Sequence, residues 1–288
     1  MPTVLVAGAT GYLGRHLVAT YLDRGWTVRA LVRDAGRARR LLPAAATLVE
    51  AEATRPETLT GCMAGCDLVV SALGLTRQKD GLTPWDVDFQ ANANLLDAAL
   101  AAGVPQFAYV HVLNADRMAG VPLVDAKAAF VDRLRACPIA ATVIEPTGYF
   151  SDMADLFEMA RGGRVWLFGD GATRLNPIHG TDLAEASADA IAAALPRAAI
   201  GGPEVFTLNG IAQLAATALG RPARVTHLPD GLRRAALAVI PRVLPVARSA
   251  PLTFFLSAMA EDMVAPCHGT RRLADHFAAL AQRPAEAA

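Results

Sequence analysis

Short apolar runs alternate with amphipathic stretches through the first half of the chain. The apolar runs suit strands buried on both faces; they lie at 3–7, 27–33, 47–53, 66–74, 106–113 and 138–146. Between them, apolar residues recur with helical spacing at 12–25, 36–42, 56–65, 84–103 and 123–137. Strands that alternate with helices predict an α/β fold, here a doubly wound parallel sheet of the Rossmann type.

The alternation becomes irregular in the second half. We expect residues 1–150 to form the Rossmann domain, with parts of 176–210 completing its sheet. Residues 151–175 and 211–288 are predicted to form a smaller, mostly helical C-terminal lobe that binds the substrate. A late strand is expected at 203–210, directly before a helix.

Composition narrows the classes of function. The chain has 288 residues, of which 53% are hydrophobic, and its 27 basic residues balance 27 acidic ones. Balanced charge and few aromatic residues argue against a nucleic-acid partner. The sequence has no leader pattern and no apolar run of membrane-spanning length, so we expect a cytoplasmic protein. The four cysteines lack metal-ligand spacing, which predicts free thiols and no metal site.

A glycine motif follows the first apolar run. Residues 4–14 read VLVAGATGYLG, with Gly8, Gly11 and Gly14 between a predicted strand and a predicted helix. In that context the glycines allow a tight turn, close approach of the backbone to a pyrophosphate, and close packing of helix against strand. The positive end of the helix would face the phosphates. The motif predicts a dinucleotide site.

The end of the second predicted strand bears on the choice of cofactor. Arg33 ends this strand, and Arg37, Arg39 and Arg40 follow it. A guanidinium can bind a 2′-phosphate with two parallel hydrogen bonds, which favours NADP(H). Asp34 leaves NAD open, because a carboxylate there can hold ribose hydroxyls. The later arginines can equally form a solvated helix face.

Several motifs together resemble one family. GATGYLG, ALGLTRQKDG, VIEPTGYFSDM, LNPIHGTDLAE and IGGPEVFTLNG resemble the atypical short-chain dehydrogenase/reductases, close to their NmrA-like and divinyl-chlorophyllide-reductase-like groups. The resemblance implies a Rossmann domain with a small substrate lobe. By residue match it implies NADP(H) contacts from Gly8, Thr10, Gly11, Tyr12, Leu13, Gly14, Arg33, Ala72, Leu73, Gly74, Pro146, Gly148, Tyr149 and Phe150.

The usual catalytic set of this superfamily is matched only in part. The family uses Asn, Ser and a Tyr-x-x-x-Lys pair, and Lys127 fits the lysine. Leu123 stands where the tyrosine is expected, His111 or Val112 where the serine is expected, and Asp88 where the asparagine is expected. The resemblance therefore leaves the proton donor open.

Four residues remain as catalytic candidates. Lys127 in an apolar pocket would have a lowered pKa and could move a proton, or it could only bind the nicotinamide ribose. His111 would titrate near neutral pH at the end of a strand, or lie buried. Tyr149 could replace the missing phenol or stack on the cofactor. Asp88 is either an orienting carboxylate or a solvated helix residue.

Three further segments carry open alternatives. Arg77, in the loop after the fourth predicted strand, could meet a cofactor phosphate, or the loop could be solvated. Thr181 or Asp182 is expected to cap a helix, and His179 either caps the helix and braces the loop or faces the cleft. The arginine-containing apolar segment 232–255 could touch a membrane surface, line a pocket or form an oligomer contact.

These observations predict an NADPH-dependent oxidoreductase that reduces a carbonyl or a conjugated double bond of a hydrophobic, cyclic small molecule. Two alternatives stay open. One is a non-catalytic NADP(H)-binding sensor or assembly factor, which the missing tyrosine suggests. The other is an epimerase, dehydratase or isomerase that uses NADP transiently. A homo-oligomer and a peripheral membrane location also remain open.

Overall fold

The computed structural model describes residues 1–75 and 81–282. Its strands are β1 (Thr3–Ala7), β2 (Thr27–Val32), β3 (Thr47–Glu50), β4 (Leu68–Ser71), β5 (Gln106–Val110), β6 (Ala140–Pro146), β7 (Val165–Phe168), β8 (Arg174–Leu175), β9 (Arg197–Ile200), β10 (Phe206–Thr207) and β11 (Val225–Leu228). Its α-helices are α1 (Tyr12–Asp23), α2 (Ala35–Ala38), α3 (Asn92–Ala101), α4 (Pro122–Arg135), α5 (Phe150–Arg161), α6 (Gly180–Ala192), α7 (Leu208–Ala218), α8 (Asp230–Val243), α9 (Val246–Ala258) and α10 (Leu273–Ala281). A π-helix spans Trp85–Ala91, and 3₁₀ helices span Pro56–Leu59 and Ala115–Met118.

Seven strands form one parallel sheet in the order β3-β2-β1-β4-β5-β6-β9. This order confirms the predicted doubly wound Rossmann-type fold. The chain runs outward from β1 to β3 and then returns to β4 on the other side of β1. The switch leaves a crevice at the carboxyl ends of β1 and β4, where such sheets bind ligands.

Alternate residues of β1 belong to two different cores. Val4 and Val6 pack with the apolar side chains of α1 and α6 on one face of the sheet. Leu5 and Ala7 pack with those of α3 and α4 on the other face. Because every second side chain of a strand points the same way, a strand covered on both faces is apolar throughout. This explains the uninterrupted apolar runs in the sequence.

The second half of the chain completes the sheet and adds a third core. The seventh strand, β9, comes from the stretch 176–210. The rest builds two small sheets, β7 with β11 in parallel and β8 with β10 antiparallel. Helices α5, α7 and α10 share a core with them. The C-terminal region is thus helical, as predicted, whereas the domain boundaries themselves stay a prediction.

Some predicted elements are shorter than expected. The strand predicted at 203–210 is wrong for most of its length, since only Phe206–Thr207 is extended. The Thr207 side chain accepts a hydrogen bond from the N–H of Gly210 and caps α7, so the helix begins at Leu208. The helix predicted at 56–65 is one 3₁₀ turn at Pro56–Leu59.

Asn176 ties the end of β9 to the C-terminal segment. Its buried amide donates to the carbonyls of Gly202 (3.0 Å) and Ala265 (2.9 Å) and accepts from the N–H of Ala265 (3.1 Å). A Cβ atom on Gly201 would collide with this amide, and one on Gly202 with the carbonyl of Pro177. Close packing therefore requires glycine at both Gly201 and Gly202.

The described helices are too short or too polar to cross a membrane. Within the two described ranges, no helix is both long enough and apolar enough to cross a bilayer.

Replacing Asn176 with Ala should lower the free energy of unfolding by about 2–4 kcal/mol, because three buried backbone groups lose their partner. Urea unfolding followed by circular dichroism measures this. Gln213→Ala on the exposed side of α7 is the control, with an expected change below about 0.5 kcal/mol. Equal stability of both variants would show that the amide is dispensable.

Candidate functional site

Close backbone contacts explain why the first loop contains glycines. Gly8 has φ +75°, and a Cβ atom there would lie 2.8 Å from the carbonyl oxygen of Ala72. A Cβ atom on Gly14 would collide with the carbonyl of Gly8. The N–H of Gly11 donates to the same carbonyl at 2.9 Å and closes the turn. The loops after β1 and β4 therefore touch at the switch in strand order.

The N-terminus of α1 suits an anion. Its N-cap is Gly11, no side chain caps the helix, and its first turn has no acidic residue. The first N–H groups of a helix have no acceptor inside the helix, and the helix dipole adds positive charge there. Leu13 is buried and the hydroxyl of Tyr12 accepts from the N–H of Gly180, so both would offer a ligand their backbone. This cradle fits a pyrophosphate.

The end of β2 carries the charges considered for cofactor choice. Arg33 follows the strand and is exposed. Asp34 is the N-cap of α2, with Oδ1 accepting from the N–H of Arg37 at 2.9 Å. Asp34 thus has a local structural role, whereas the side chain of Arg37 is exposed. Arg77, expected near the phosphates, lies outside the described residues.

A buried ion pair stands at the carboxyl ends of β4 and β5. Lys127 on α4 places Nζ 3.1 Å from Oδ1 of Asp88, and their side chains are 11% and 0% exposed. The same Nζ lies 3.3 Å from the hydroxyl of Tyr109 and 3.2 Å from the carbonyl of Val110. The hydroxyl of Tyr109 and the carbonyl of Val110 accept hydrogen bonds from Nζ, whereas Oδ1 of Asp88 lies at ion-pair distance without a hydrogen bond among the described residues.

The loop after β4 is joined to this ion pair. Oδ2 of Asp88 accepts from the N–H of Leu75 at 3.1 Å. A Cβ atom on Gly74 would lie 3.0 Å from Oδ1 of Asp88 and 3.1 Å from Nζ of Lys127. Gly74 therefore lets the loop that is expected to line the cofactor touch the ion pair.

Asp88 owes its position to the π-helix. The helix predicted at 84–103 begins as this π-helix and continues as α3. Asn92 donates to the carbonyls of Val87 (3.0 Å) and Asp88 (3.1 Å) and accepts from the hydroxyl of Ser71 at 2.5 Å. These bonds satisfy carbonyls that the altered turn exposes. Single π-turns occur often at functional sites.

The protonation of the ion pair differs from the expectation. Burial acts to lower the pKa of Lys127, but Tyr109 and Asp88 outweigh it and hold that pKa above its usual value. Burial raises the pKa of Asp88, and Lys127 opposes part of this rise. The predicted lowering of the Lys127 pKa is wrong, because a carboxylate shares its pocket. Lys127 is charged, and Asp88 is buried beside it rather than solvated, whereas a role of Asp88 as an orienting carboxylate stays a prediction.

His111 is buried next to the ion pair. It directly follows β5, is 8% exposed and has no hydrogen-bond partner for Nδ1 in the part of the chain that the structure describes. Burial and the nearby cations of Lys127, Arg135 and Arg197 lower its pKa to about 3. The expectation that it titrates near neutral pH is wrong. At neutral pH it is an uncharged imidazole with one N–H to donate.

The loop after β6 brings Tyr149 to the same edge. Pro146 ends β6, and Gly148 has φ +146°. The ring of Tyr149 lies 5.6 Å from that of Tyr12, so the loops after β1 and β6 meet. Burial raises the pKa of Tyr149, which keeps its hydroxyl protonated. Its predicted contact with the nicotinamide stays a prediction.

Phe150 faces away from this edge. Its side chain is buried in the third core, and its N–H donates to the carbonyl of Ile178 at 3.1 Å. Both groups are engaged within the protein, and the expected cofactor contact of Phe150 stays a prediction.

The cap of α6 is the expected capping role of His179 and not the cap expected from Thr181 or Asp182. His179 is the N-cap, since its Nδ1 accepts from the N–H of Thr181 at 3.2 Å. Asp182 is buried and pairs with Arg271 instead, while also accepting from the N–H of Thr270 at 3.0 Å.

Two residues of the site escaped the sequence analysis, Tyr109 and Asn92. Tyr109 lies two positions before His111 on the same strand, so the two side chains share a face of the sheet. Asn92 lies four positions after Asp88, one helical turn away. In both cases the available signal was a polar group within an otherwise apolar buried element.

Comparison with known proteins identifies the family. Residues 8–193 match the profile of a family described as NAD(P)H-binding. The chain belongs to this family. The match includes the glycine loop, Asp88, His111 and Lys127, and it confirms the predicted atypical short-chain dehydrogenase/reductase class and its nicotinamide dinucleotide cofactor.

Two curated relatives and one solved structure extend this result. The photosystem II assembly factor Ycf39 of Synechocystis sp. is 29% identical over 236 residues, covering 80% of this chain and 72% of that protein. The divinyl chlorophyllide a 8-vinyl-reductase of Zea mays is 31% identical over 209 residues, covering 66% of this chain and 51% of that protein. The NADPH-dependent quinone oxidoreductase QOR2 of Escherichia coli has a TM-score of 0.75 at 21% identity, over 96% of this chain and 99% of that one. The last similarity shows the fold.

The buried imidazole predicts a pH dependence of stability. The folded protein lowers the His111 pKa from 6.5 to about 3, so between these values the unfolded chain binds a proton that the folded chain does not. Stability should therefore fall as pH falls from 7 to 5, with about 1–2 kcal/mol due to this residue. Urea unfolding at both pH values measures the difference.

In His111→Phe the loss of stability between pH 7 and pH 5 should be smaller than in wild type by about 1–2 kcal/mol. A residual loss should remain, because burial also lowers the pKa of His16 to about 4. His268→Phe on the surface is the control and should keep the full loss. If His111→Phe and wild type lose equal stability between pH 7 and pH 5, His111 is not the source of the pH dependence.

Proposed function

We propose that the protein is an NADPH-dependent oxidoreductase that reduces a carbonyl or a conjugated double bond of a hydrophobic, cyclic small molecule. One observation carries the proposal: an uncharged, buried His111 stands beside a buried ion pair at the sheet edge that carries the glycine loop. Bound NADPH would supply the hydride. The chain would orient the substrate and stabilise the charge that develops on it.

The backbone of the loop Gly8–Gly14 and the start of α1 would hold the pyrophosphate. Arg33, with Arg37 beside it, would hold the 2′-phosphate. Asp34 already caps α2, which favours an arginine rather than a carboxylate as the selecting group. Ala72, Leu73 and Gly74 would border the adenine-ribose side, because their loop touches Gly8.

His111 would donate a hydrogen bond to the substrate oxygen that gains negative charge. An uncharged imidazole suits this task, because it polarises a carbonyl and remains a donor at neutral pH. The fixed positive charge of Lys127, close enough to lower the His111 pKa, would favour the same anion. Tyr149 keeps its proton at neutral pH and would be the proton source nearest the nicotinamide.

Lys127 would act mainly through its charge. Asp88, Tyr109 and the carbonyl of Val110 already surround its Nζ, so a ribose hydroxyl would have to compete with these three oxygens for the ammonium. Asp88 and Tyr109 are positioning residues, because they hold Lys127 in place and charged. This differs from the usual catalytic lysine, which binds the ribose and lowers the pKa of a tyrosine.

The substrate class is supported by a relative. The maize protein is named for reduction of a vinyl group on a chlorophyllide, and a vinyl group conjugated to a large ring fits the chemistry proposed here.

A second candidate function is NADP(H) binding without turnover, in the assembly of a larger complex. Two observations favour it. Leu123 is buried where the usual tyrosine would stand, and Nζ of Lys127 is already surrounded by protein oxygens. In addition, relatives over most of the chain are named as assembly factors. The two candidates share the cofactor site and differ in net oxidation of NADPH.

Arg33→Ala should weaken NADPH binding by about 10–100-fold, because the 2′-phosphate loses a charge-assisted contact. NADH binding should change less than about threefold, since NADH lacks that phosphate. Titration followed by nicotinamide fluorescence measures both dissociation constants. Arg55→Ala, an exposed arginine before a 3₁₀ helix, is the control. Equal losses for NADPH and NADH would reject the assignment of Arg33.

Turnover separates the two candidate functions. Wild-type protein should oxidise NADPH in the presence of at least one member of a panel of hydrophobic cyclic enones and quinones. In His111→Phe, kcat should fall about 100-fold, as expected when one donor to a developing oxyanion is removed. The dissociation constant of NADPH should stay within about twofold. Loss of reduced-nicotinamide absorbance measures the rate.

His268→Phe is the matched control and should keep the wild-type kcat. Full activity in His111→Phe would reject the proposed role of His111. Tight NADPH binding without oxidation by any member of the panel would favour the second candidate.

A further inference from the structure

Helix α8 has an apolar surface that the chain does not cover. None of its residues from Asp230 to Val243 is buried. Leu232, Val239 and Val243 recur at helical spacing and are 54%, 52% and 67% exposed. Fourteen residues without a buried side chain gain little from packing, and packing supplies most of the stability of helices in proteins. The helix therefore favours a partner on this side.

Helix α9 extends the same kind of surface. Val246, Leu252 and Phe255 are exposed, and α9 packs against α8. We call the six exposed side chains of the two helices, Leu232, Val239, Val243, Val246, Leu252 and Phe255, the α8–α9 face. The guanidinium of Arg233 donates to the carbonyl of Leu256 at 3.3 Å and holds the two helices together. On its other side α9 packs against α4, the helix that carries Lys127.

The charges around the α8–α9 face are mostly positive. Residues 230–258 contain four arginines and one acidic residue, Asp230. Asp230 pairs with Arg233 at 2.6 Å and Arg234 at 3.2 Å. Arg242 and Arg248 form no salt bridge within the part of the chain that the structure describes, although Arg242 donates to the carbonyl of Ala238. The apolar residues are thus accompanied by cations that lack an acidic partner.

The positive charge around the α8–α9 face favours some partners over others. A second copy facing the first across a two-fold axis would oppose arginines with arginines, which is unfavourable. An anionic lipid surface instead attracts each arginine, and its acyl region accepts the apolar side chains. Arginine stems can lie along apolar surface while their guanidinium groups reach the lipid phosphates.

We propose that the α8–α9 face docks on the surface of an anionic lipid bilayer, with both helices lying in the interfacial region. The proposal is based on the exposed apolar side chains and the arginines of α8 and α9, and it does not depend on the proposed enzyme activity. Through α9 and α4, docking would bring the candidate site close to the lipid.

The first test removes the apolar contacts. Wild-type protein should co-sediment with vesicles of phosphatidylcholine containing phosphatidylglycerol. The double variant Val239→Ser/Val243→Ser should bind them about tenfold or more weakly, because two valines no longer enter the acyl boundary. Leu195→Ser/Val205→Ser is the matched control, since both side chains are 45–48% exposed but lie elsewhere. It should bind like wild type.

The second test removes the charges. Arg242→Gln/Arg248→Gln should weaken binding to the anionic vesicles about tenfold. Arg55→Gln/Arg224→Gln changes the net charge equally and should have an effect below about threefold. Added salt should weaken wild-type binding, because ions screen surface charges. NADPH titration of every variant confirms an intact cofactor site and separates this proposal from that function.

Three outcomes would overturn the proposal. The first is no sedimentation of wild-type protein with vesicles at any content of phosphatidylglycerol. The second is equal loss of binding in the test and control variants. The third is a wild-type dimer, seen by light scattering, that Val239→Ser/Val243→Ser converts to a monomer, since the face would then bind a second copy.

Discussion

The buried pair of Lys127 and Asp88 constrains the rest of the candidate site. Removing an ammonium and a carboxylate from water is costly, and the cost is met only when the two charges touch and their remaining hydrogen-bonding groups find partners. The chain supplies most of these partners with groups from β5, α4, the π-helix and the loop after β4. Those elements must therefore adopt fixed relative positions, and the loop after β4 is held by the same contacts.

The pair also contributes to the state of its neighbour His111. Burial is the main reason why this imidazole is uncharged, and the positive charge of Lys127 adds to the effect. One local arrangement thus influences two protonation states. Under the proposed function, a fixed cation and a neutral hydrogen-bond donor would take the place of the usual proton relay. The absence of the family's tyrosine at Leu123 is consistent with this different division of tasks. Fold alone does not decide whether the arrangement serves turnover, because related folds carry unrelated functions.

Much of the fold could be predicted because it rests on local patterns. Six of the seven strands of the sheet lie within predicted apolar runs, and the glycines at 8, 11 and 14 marked the start of α1. A further strand was expected within 176–210, but the position of β9 was not predicted, since Arg197–Ile200 is a short edge strand without a long apolar run. The strand expected at 203–210 failed because the cap formed by Thr207 outweighs the β-propensity of Val205 and Phe206.

The site was harder to predict than the fold, because its properties depend on contacts between distant segments. Asp88 and Lys127 were both identified, but the pKa of Lys127 depends on a carboxylate 39 positions away in the sequence. Tyr109 looked like an ordinary strand residue until its hydroxyl was found beside Nζ of Lys127. Residue matching locates candidates, whereas protonation follows from what surrounds them in space.

The π-helix at Trp85–Ala91 gives this site a dependence on chain length as well as on residue type. A π-turn accommodates one more residue than an α-turn, and each residue rotates an α-helix by about 100°. Loss of one residue would return the segment to α-helical winding and shift the angular phase of Asp88 relative to α3. The carboxylate would then point away from Lys127 although every functional side chain was still present. In homologous chains, an insertion or deletion in this segment is therefore as informative as a substitution of the aspartate itself.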